Sequence, residues 1–376
     1  MKALFIIHCQ DPIYGASRSI GNLIRNLDVD VDIIFPIKAK KEGRITAEQI
    51  EKFYGNNVKN VWYLPQPARL GIQPEKLKWK HHVKCFVKEF LYILAKPLYS
   101  VIYHKGAYDF IHLNSITLFP ILNKRWPMFL HVRESVREKQ SFWNRRLGKC
   151  MEQAHGIIYI SEEDRARCPN NFVPGITLVN PYDQTAVSQV NYDAAMQRFG
   201  LRKADTIYAI IGNIFPCKGV DFVIKAYQKA KLENSVLLIV GRDTNHDGYE
   251  EQAKALAEGN PTIRFLGEIQ DVETIYRVTD YVIRGDAVTG AGRTTFESLY
   301  SGGGAILTGN PQENLTSLNL PPQMEERVFF YPVRSEEGLI LALRETQSRK
   351  YINREYKTNV PDYVTTFMDF INENSK

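Results

Sequence analysis

The 376-residue chain has little with which to cross-link itself or hold a metal. Its five cysteines, Cys9, Cys85, Cys150, Cys168 and Cys217, are odd in number and never fall in a Cys-x-x-Cys spacing. That argues against a disulfide framework and a zinc site, and suits a reducing compartment. The eight histidines form no pair at ligand spacing; His81 and His82 are adjacent and would point different ways on a helix. No metal site is expected. Long apolar runs are also missing. The opening "MKALFIIHCQD" holds one lysine and a short apolar run before His8, too little for a signal-peptide core or a membrane span. The expected location is therefore the cytoplasm. With 44% apolar and 24% charged residues and no low-complexity tract, disorder is excluded as the main state. The charge balance, 48 basic against 42 acidic residues for a net +6, favours anionic ligands in general and gives no ground for a nucleic-acid partner.

What the sequence does have is alternation. Short apolar runs alternate with amphipathic stretches almost throughout, the pattern of parallel sheets flanked by helices. The first half supplies "ALFII" (3–7), "VDIIF" (31–35), "VKNVWYL" (58–64), "DFIHL" (109–113), "MFLHV" (128–132) and "GIIYI" (156–160). The second half restarts with "TIYAIIG" (206–212), "SVLLIVG" (235–241), "TIRFLG" (262–267), "DYVIR" (280–284), "GAILTG" (304–309) and "VFFYPV" (328–333). Two doubly wound, Rossmann-like α/β domains are expected, residues 1–183 and 184–355, joined within the polar stretch 179–193. Two such sheets facing each other are expected to bind a ligand between them, because ligands of open parallel sheets lie beyond the carboxyl ends of the strands.

Three strand-to-helix loops of the second half carry chemistry. "AIIGNIFPCKGVDFVIKA" (209–226) places Gly212, Asn213 and Lys218 where a helix begins, and a lysine beside unsatisfied backbone N–H groups suits a phosphate. "LLIVGRD" (237–243) ends its strand with Gly241, which allows close backbone approach. In "GDAVTGAGRTTFESLYSG" (285–302), Gly290 and Gly292 bare the start of a helix to an anion. Arg293 adds a charged donor there. Glu297, one turn further on, is an acceptor-only group suited to a diol such as that of a ribose. An intrahelical pair between Arg293 and Glu297 is the simpler alternative, contributing only ~0.2–0.5 kcal/mol.

In order and spacing, "GNIFPCKGVDFVIKA", "VGRD", "FLGEIQDVETIYRVTDYVI" and "TGAGRTTFESLYSGGGAILTG" resemble the donor-binding half of retaining family 4 (group 1) glycosyltransferases of GT-B fold, of the bacterial polysaccharide-biosynthesis kind. "GASRSIGNLIRNL", "DFIHLNS", "FLHVRES" and "IIYISEED" resemble that family's first half, so the likeness covers roughly residues 3–310. It implies a metal-independent enzyme that takes a sugar from a nucleoside diphosphate sugar, with a UDP-sugar as the expected donor and no other cofactor. The acceptor would be a glycan, lipid-linked, in surface polysaccharide synthesis. By the resemblance, Lys218 holds the donor diphosphate, Glu297 the ribose and the Ile269 backbone the base. Gly15 approaches the diphosphate and sugar, and His131 sits beside the reacting carbon. Lys218, Arg293 and His131 are the residues expected to act in the reaction, with the departing phosphate taking the acceptor proton, as proposed for this family. Residues 356–376 would form a helix crossing back to the first domain.

The sequence departs from the family pattern twice. Asn213 stands where the family has an arginine, so a cationic clamp is missing unless Arg293, Arg242 or Arg284 supplies it. Thr289 stands where the first of two glutamates faces the donor sugar, which puts the sugar's identity in question. These departures keep two alternatives open: a sugar-nucleotide epimerase, with Asp286, His131 and Glu134 as its acid–base candidates, and a non-catalytic nucleotide-sugar-binding subunit.

Other patterns compete. "DVDVD" (28–32) has the Asp-x-Asp form that binds a divalent metal in glycosyltransferases of another fold, but its alternation with valine reads as a strand entering from solvent. His8 and Cys9 could be imagined as a nucleophile pair, but neighbours on a strand point to opposite faces. Residues 74–105 interleave lysines with Trp79, Phe86, Phe90, Tyr92 and Tyr99. Such a stretch either packs on the first sheet or lies against an anionic membrane surface, and one helix has faces enough for both.

Overall fold

The computed structural model describes residues 1–9, 15–37, 44–67, 79–134, 142–169, 172–180, 182, 184–243, 248–287, 289–318, 320–347, 349 and 362–375. The chain packs into two compact units, Met1–Pro181 with Pro361–Lys376, and Tyr182–Val360. Each is a parallel α/β sandwich. The C-terminal helix Tyr363–Asn374 belongs to the first unit.

The first sheet contains β1 (Lys2–Ile6), β2 (Asp30–Pro36), β3 (Val58–Leu64), β4 (Phe110–Leu113), β5 (Met128–Val132), β6 (Gly156–Tyr159) and β7 (Gly175–Thr177), in the order β3-β2-β1-β4-β5-β6-β7. The second contains β8 (Thr206–Ile211), β9 (Ser235–Val240), β10 (Ile263–Gly267), β11 (Tyr281–Ile283), β12 (Gly304–Thr308) and β13 (Val328–Tyr331), in the order β10-β9-β8-β11-β12-β13. The central strands are near-continuous apolar runs because helices cover both faces. Leu4 and Ile6 face one core layer, while Ala3, Phe5 and Ile7 face another that includes Phe367 and Ile371 of the C-terminal helix.

All twelve apolar runs contain a strand, and the doubly wound fold class follows. The three-residue β7 at the edge was not expected, since so short a run carries no period to read. The strand order reverses between β1 and β4 in one sheet and between β8 and β11 in the other. Loops part at these reversals and leave a crevice beyond the strands' carboxyl ends.

The Asp-x-Asp stretch is structural. Asp32 is fully buried in β2 and accepts hydrogen bonds from Tyr108 Oη (2.7 Å) and Asn60 Nδ2 (2.9 Å), with Lys2 Nζ 3.0 Å away. Asp30 is paired at the surface with Lys59. Among the described residues, no three His, Cys, Asp or Glu side chains gather as a metal site requires.

Helix Trp79–Gly106 has two apolar faces. Cys85, Tyr92, Ala95, Tyr99 and Tyr103 pack inward. Phe86, Phe90, Ile93, Leu94, Leu98 and Val101 stand exposed on the opposite side, with Phe86 at 71% and Leu94 at 62% exposure. Glu89 is the helix's single acidic residue, and it is buried against Arg146.

Candidate active site

The reversal in the second sheet brings together most of the residues singled out above. Gly212 follows β8 with φ 135°, and Gly241 follows β9 with φ 142°. A Cβ on Gly241 would stand 1.8 Å from the Gly212 carbonyl oxygen, so the two loops meet backbone to backbone. The loop after β8 meets the loop after β11 in the same manner. A Cβ on Gly219 would lie 2.2 Å from the Gly285 carbonyl oxygen, and one on Gly285 would lie 2.8 Å from that of Lys218. Space requires glycine at Gly241, Gly219 and Gly285, and positive φ favours it at Gly212, Gly241 and Gly219.

This close approach delivers Lys218 to the loop after β11, where its Nζ lies 2.9 Å from Asp286 Oδ1. The other carboxylate oxygen accepts from Arg284 Nε at 2.8 Å. Lys218 remains 39% exposed, while Asp286 is buried. A carboxylate holding two cations fixes both and leaves one net positive charge at the crevice.

Helix Arg293–Tyr300 begins beside them. Gly292 is its N-cap and has no side chain to cap the first turn, in which the Thr295 amide donates to the Gly292 carbonyl at 3.0 Å. The charge of Arg293 is directed along the helix: its Nε donates to Glu297 Oε1, and Tyr276 Oη donates to Glu297 Oε2. Burial, and next Glu297 itself, push the Tyr276 phenol well above its ordinary range, so it stays a donor. Glu297 is thus the intrahelical partner of Arg293 and is further held by Tyr276, a residue with no motif to mark it in the sequence. It sits 8% exposed, with both oxygens oriented. Gly290, with φ 135°, and Thr289 precede this helix, Thr289 half-buried. Ile269 follows β10 and is packed against the cluster that includes Ile207, Ala209 and Leu238. Asn213 follows Gly212, half-buried. Arg242 is engaged by Glu268, 3.1 Å away.

The first unit's reversal gathers a different set. His131, near the end of β5, is fully buried, and its Nδ1 shares a hydrogen bond with His112 Nε2 at 3.1 Å. Arg133 Nη2 also approaches that Nδ1, at 3.3 Å. A guanidinium can only donate, so Nδ1 is the acceptor and the His131 proton sits on Nε2. Burial, with Arg133 as the next cause, holds both imidazoles well below the usual histidine range. His131 thus presents no open surface; it is a neutral member of a packed network that includes Phe5 and Phe367. Arg133 also donates to the side chains of Asn114 and Asn180. Glu134 accepts from Ser115 Oγ at 2.6 Å and the Ile116 amide at 3.0 Å. His8 Nδ1 donates to the Asn114 carbonyl, and its Nε2 lies 3.9 Å from Glu134. His8 is therefore turned to Asn114 and Glu134, away from a nucleophile's role with Cys9. Gly15 opens helix Gly15–Asn26, while the loop 10–14 before it lies outside the described residues.

Residues 191–314 match the family model described as glycosyl transferases group 1. The matched segment lies within the second unit. All the residues of the Lys218–Asp286–Arg284 cluster and the Arg293–Tyr300 helix fall inside this matched segment. Among curated proteins no sequence matches the chain. Among solved structures, Anabaena HepE in complex with UDP and glucose is similar, with TM-score 0.68 and 14% identity over 100% of this chain and 93% of that one. Sucrose-phosphate synthase from Thermosynechococcus elongatus has TM-score 0.68 and 14% identity over 99% and 97% of the two chains. WaaG, a glycosyltransferase involved in lipopolysaccharide biosynthesis, has TM-score 0.61 and 14% identity over 99% of each. Likeness at this identity establishes the fold, which is GT-B: two Rossmann-like α/β units.

Proposed function

We propose that the protein is a retaining glycosyltransferase that moves a sugar from a nucleoside diphosphate sugar, with UDP as the expected carrier, to a lipid-linked glycan in surface polysaccharide synthesis. One observation carries the reading: inside a group 1 domain, the sheet reversal holds an excess cation on Asp286 next to an uncapped helix start, with an oriented carboxylate one turn further on. As the sugar leaves, it becomes oxocarbenium-like and negative charge grows on the diphosphate. In this reading Lys218 and the start of helix Arg293–Tyr300 stabilise that charge, and Glu297 holds the ribose diol.

The epimerase alternative has less support. Of its acid–base candidates, Asp286 is bound to two cations and His131 is buried and neutral. The assay is release of nucleoside diphosphate from a panel of sugar nucleotides, with and without glycan acceptors, and with the product anomer read by NMR. Acceptor-dependent release with retained configuration, undiminished in EDTA, is expected. An epimer formed from donor alone, or loss of turnover in EDTA, would contradict it.

The acceptor part of the reading rests on helix Trp79–Gly106. Its exposed apolar side chains from Val83 to Val101 cover an arc of about 160° at 3.6 residues per turn and run about 27 Å. Lys84, Lys88, Lys96 and Lys105 are exposed on the same helix, with no exposed carboxylate among its described side chains. An apolar stripe with lysines alone for charge complements an anionic lipid surface. A lipid-linked acceptor would be met there. No helix among the described residues is long and apolar enough to cross a membrane, so the expected contact is peripheral, on the cytoplasmic face. Co-sedimentation with anionic vesicles, lost in Phe90→Ser with Leu94→Ser, is expected. A salt-independent dimer that the same pair of substitutions dissolves would replace the membrane with a second copy.

A further inference from the structure

Three arginines, Arg242, Arg284 and Arg293, could replace the cation missing at Asn213, and their partners separate them. Arg242 is matched by Glu268 and is 53% exposed. Arg293 is matched by Glu297. Arg284 differs, because it shares the one carboxylate of Asp286 with Lys218. Its guanidinium, 15% exposed, lies against the helix start. A Cβ on Gly292 would stand 1.5 Å from Arg284 Nη1 and 2.7 Å from its Cζ. Gly292 has φ −80°, an ordinary backbone conformation, so it is the guanidinium rather than the chain that requires glycine there. In the first turn of the same helix the Thr295 hydroxyl is fully buried and has no hydrogen-bond partner among the described residues. A positive charge in excess of its carboxylate, a helix start with no side-chain cap and a buried hydroxyl in that helix's first turn together fit the oxygens of an anion.

Resting on the donor reading above, we propose that Arg284 is the second cation on the donor diphosphate, replacing the arginine absent at Asn213, and that Asp286 is the positioning residue that aims Arg284 and Lys218 together. Gly292 then serves two ends: it frees the helix amides and makes room for the guanidinium.

The test is titration of the full chain with UDP by calorimetry and with uridine by saturation-transfer NMR. Arg284→Ala is expected to weaken UDP binding about 10- to 100-fold, the range for a charged hydrogen bond, and to leave uridine binding unchanged. Arg284→Lys recovers part of the loss. Gly292→Ala keeps every charge but occupies the guanidinium's place, and is expected to reproduce the loss with the melting temperature of the unliganded chain unchanged. Asp286→Asn weakens UDP binding in the same direction. UDP binding unaltered in Arg284→Ala, an equal loss for uridine, or a larger loss in Arg242→Ala would overturn the assignment. If the unsubstituted protein binds neither UDP nor ADP nor GDP, the donor reading itself fails, and this inference with it.

Discussion

The two sheets reverse their strand order at equivalent places, yet the side chains gathered there differ in kind. Beyond β8 and β11 the chain supplies Lys218, Arg284, a helix start with no side-chain cap and glycines packed backbone to backbone. Beyond β1, β4 and β5 it supplies His8, Asn114, Ser115 and Glu134, backed by two buried neutral imidazoles. The second reversal suits a ligand with concentrated negative charge. The first suits uncharged hydroxyls, which need acceptors and oriented donors more than charge. The fold decides where each site lies, and the loops decide what it can hold.

The sharpest way to break this contrast is to remove charge from the second reversal. Lys218→Ala is expected to lower kcat by about 10²–10³, the usual cost of losing a preorganised charge stabiliser; steady-state kinetics with the donor that the panel identifies would measure it. A loss under tenfold would make the two reversals electrostatically equivalent. A smaller effect is expected one turn along the helix. Glu297→Gln keeps the shape but loses the carboxylate, and should raise the donor Kd about tenfold, by roughly the worth of one charged hydrogen bond. Unchanged affinity would reduce Glu297 to a structural partner of Arg293 and Tyr276.

The smallest effect probes the first reversal. His112 and His131 are held neutral in the folded chain, whereas an unfolded histidine titrates near 6.5. Unfolding therefore takes up protons as pH drops below about 6.5, so their contribution to stability is whole above that pH and declines below it. The melting temperature should fall between pH 7.5 and 5.5, and fall less in His131→Gln. An unchanged pH dependence in that variant would mean the imidazole is not held as described.

How much of this was legible beforehand follows from where the signal lies. The sheets could be read because buried parallel strands are written as contiguous apolar runs, from "ALFII" to "VFFYPV". Lys218, Gly292 and Glu297 stood out through glycine spacing and charge at a strand-to-helix turn. Tyr276 did not, because its role depends on a helix preceding Glu297 in the chain and packing beside it. Asp286 drew notice as an acid–base candidate, but its grip on Lys218 arises from a contact 68 residues apart in sequence. The burial of His131 was equally hidden, since strand-end histidines read alike whether they face solvent or a core.

The most direct measurement is a crystal structure of the full chain with UDP. Diphosphate oxygens are expected on Lys218, Arg284 and the start of helix Arg293–Tyr300, with the ribose hydroxyls on Glu297. A diphosphate bound away from that helix start, or a ribose that leaves Glu297 with Arg293 and Tyr276 alone, would contradict it.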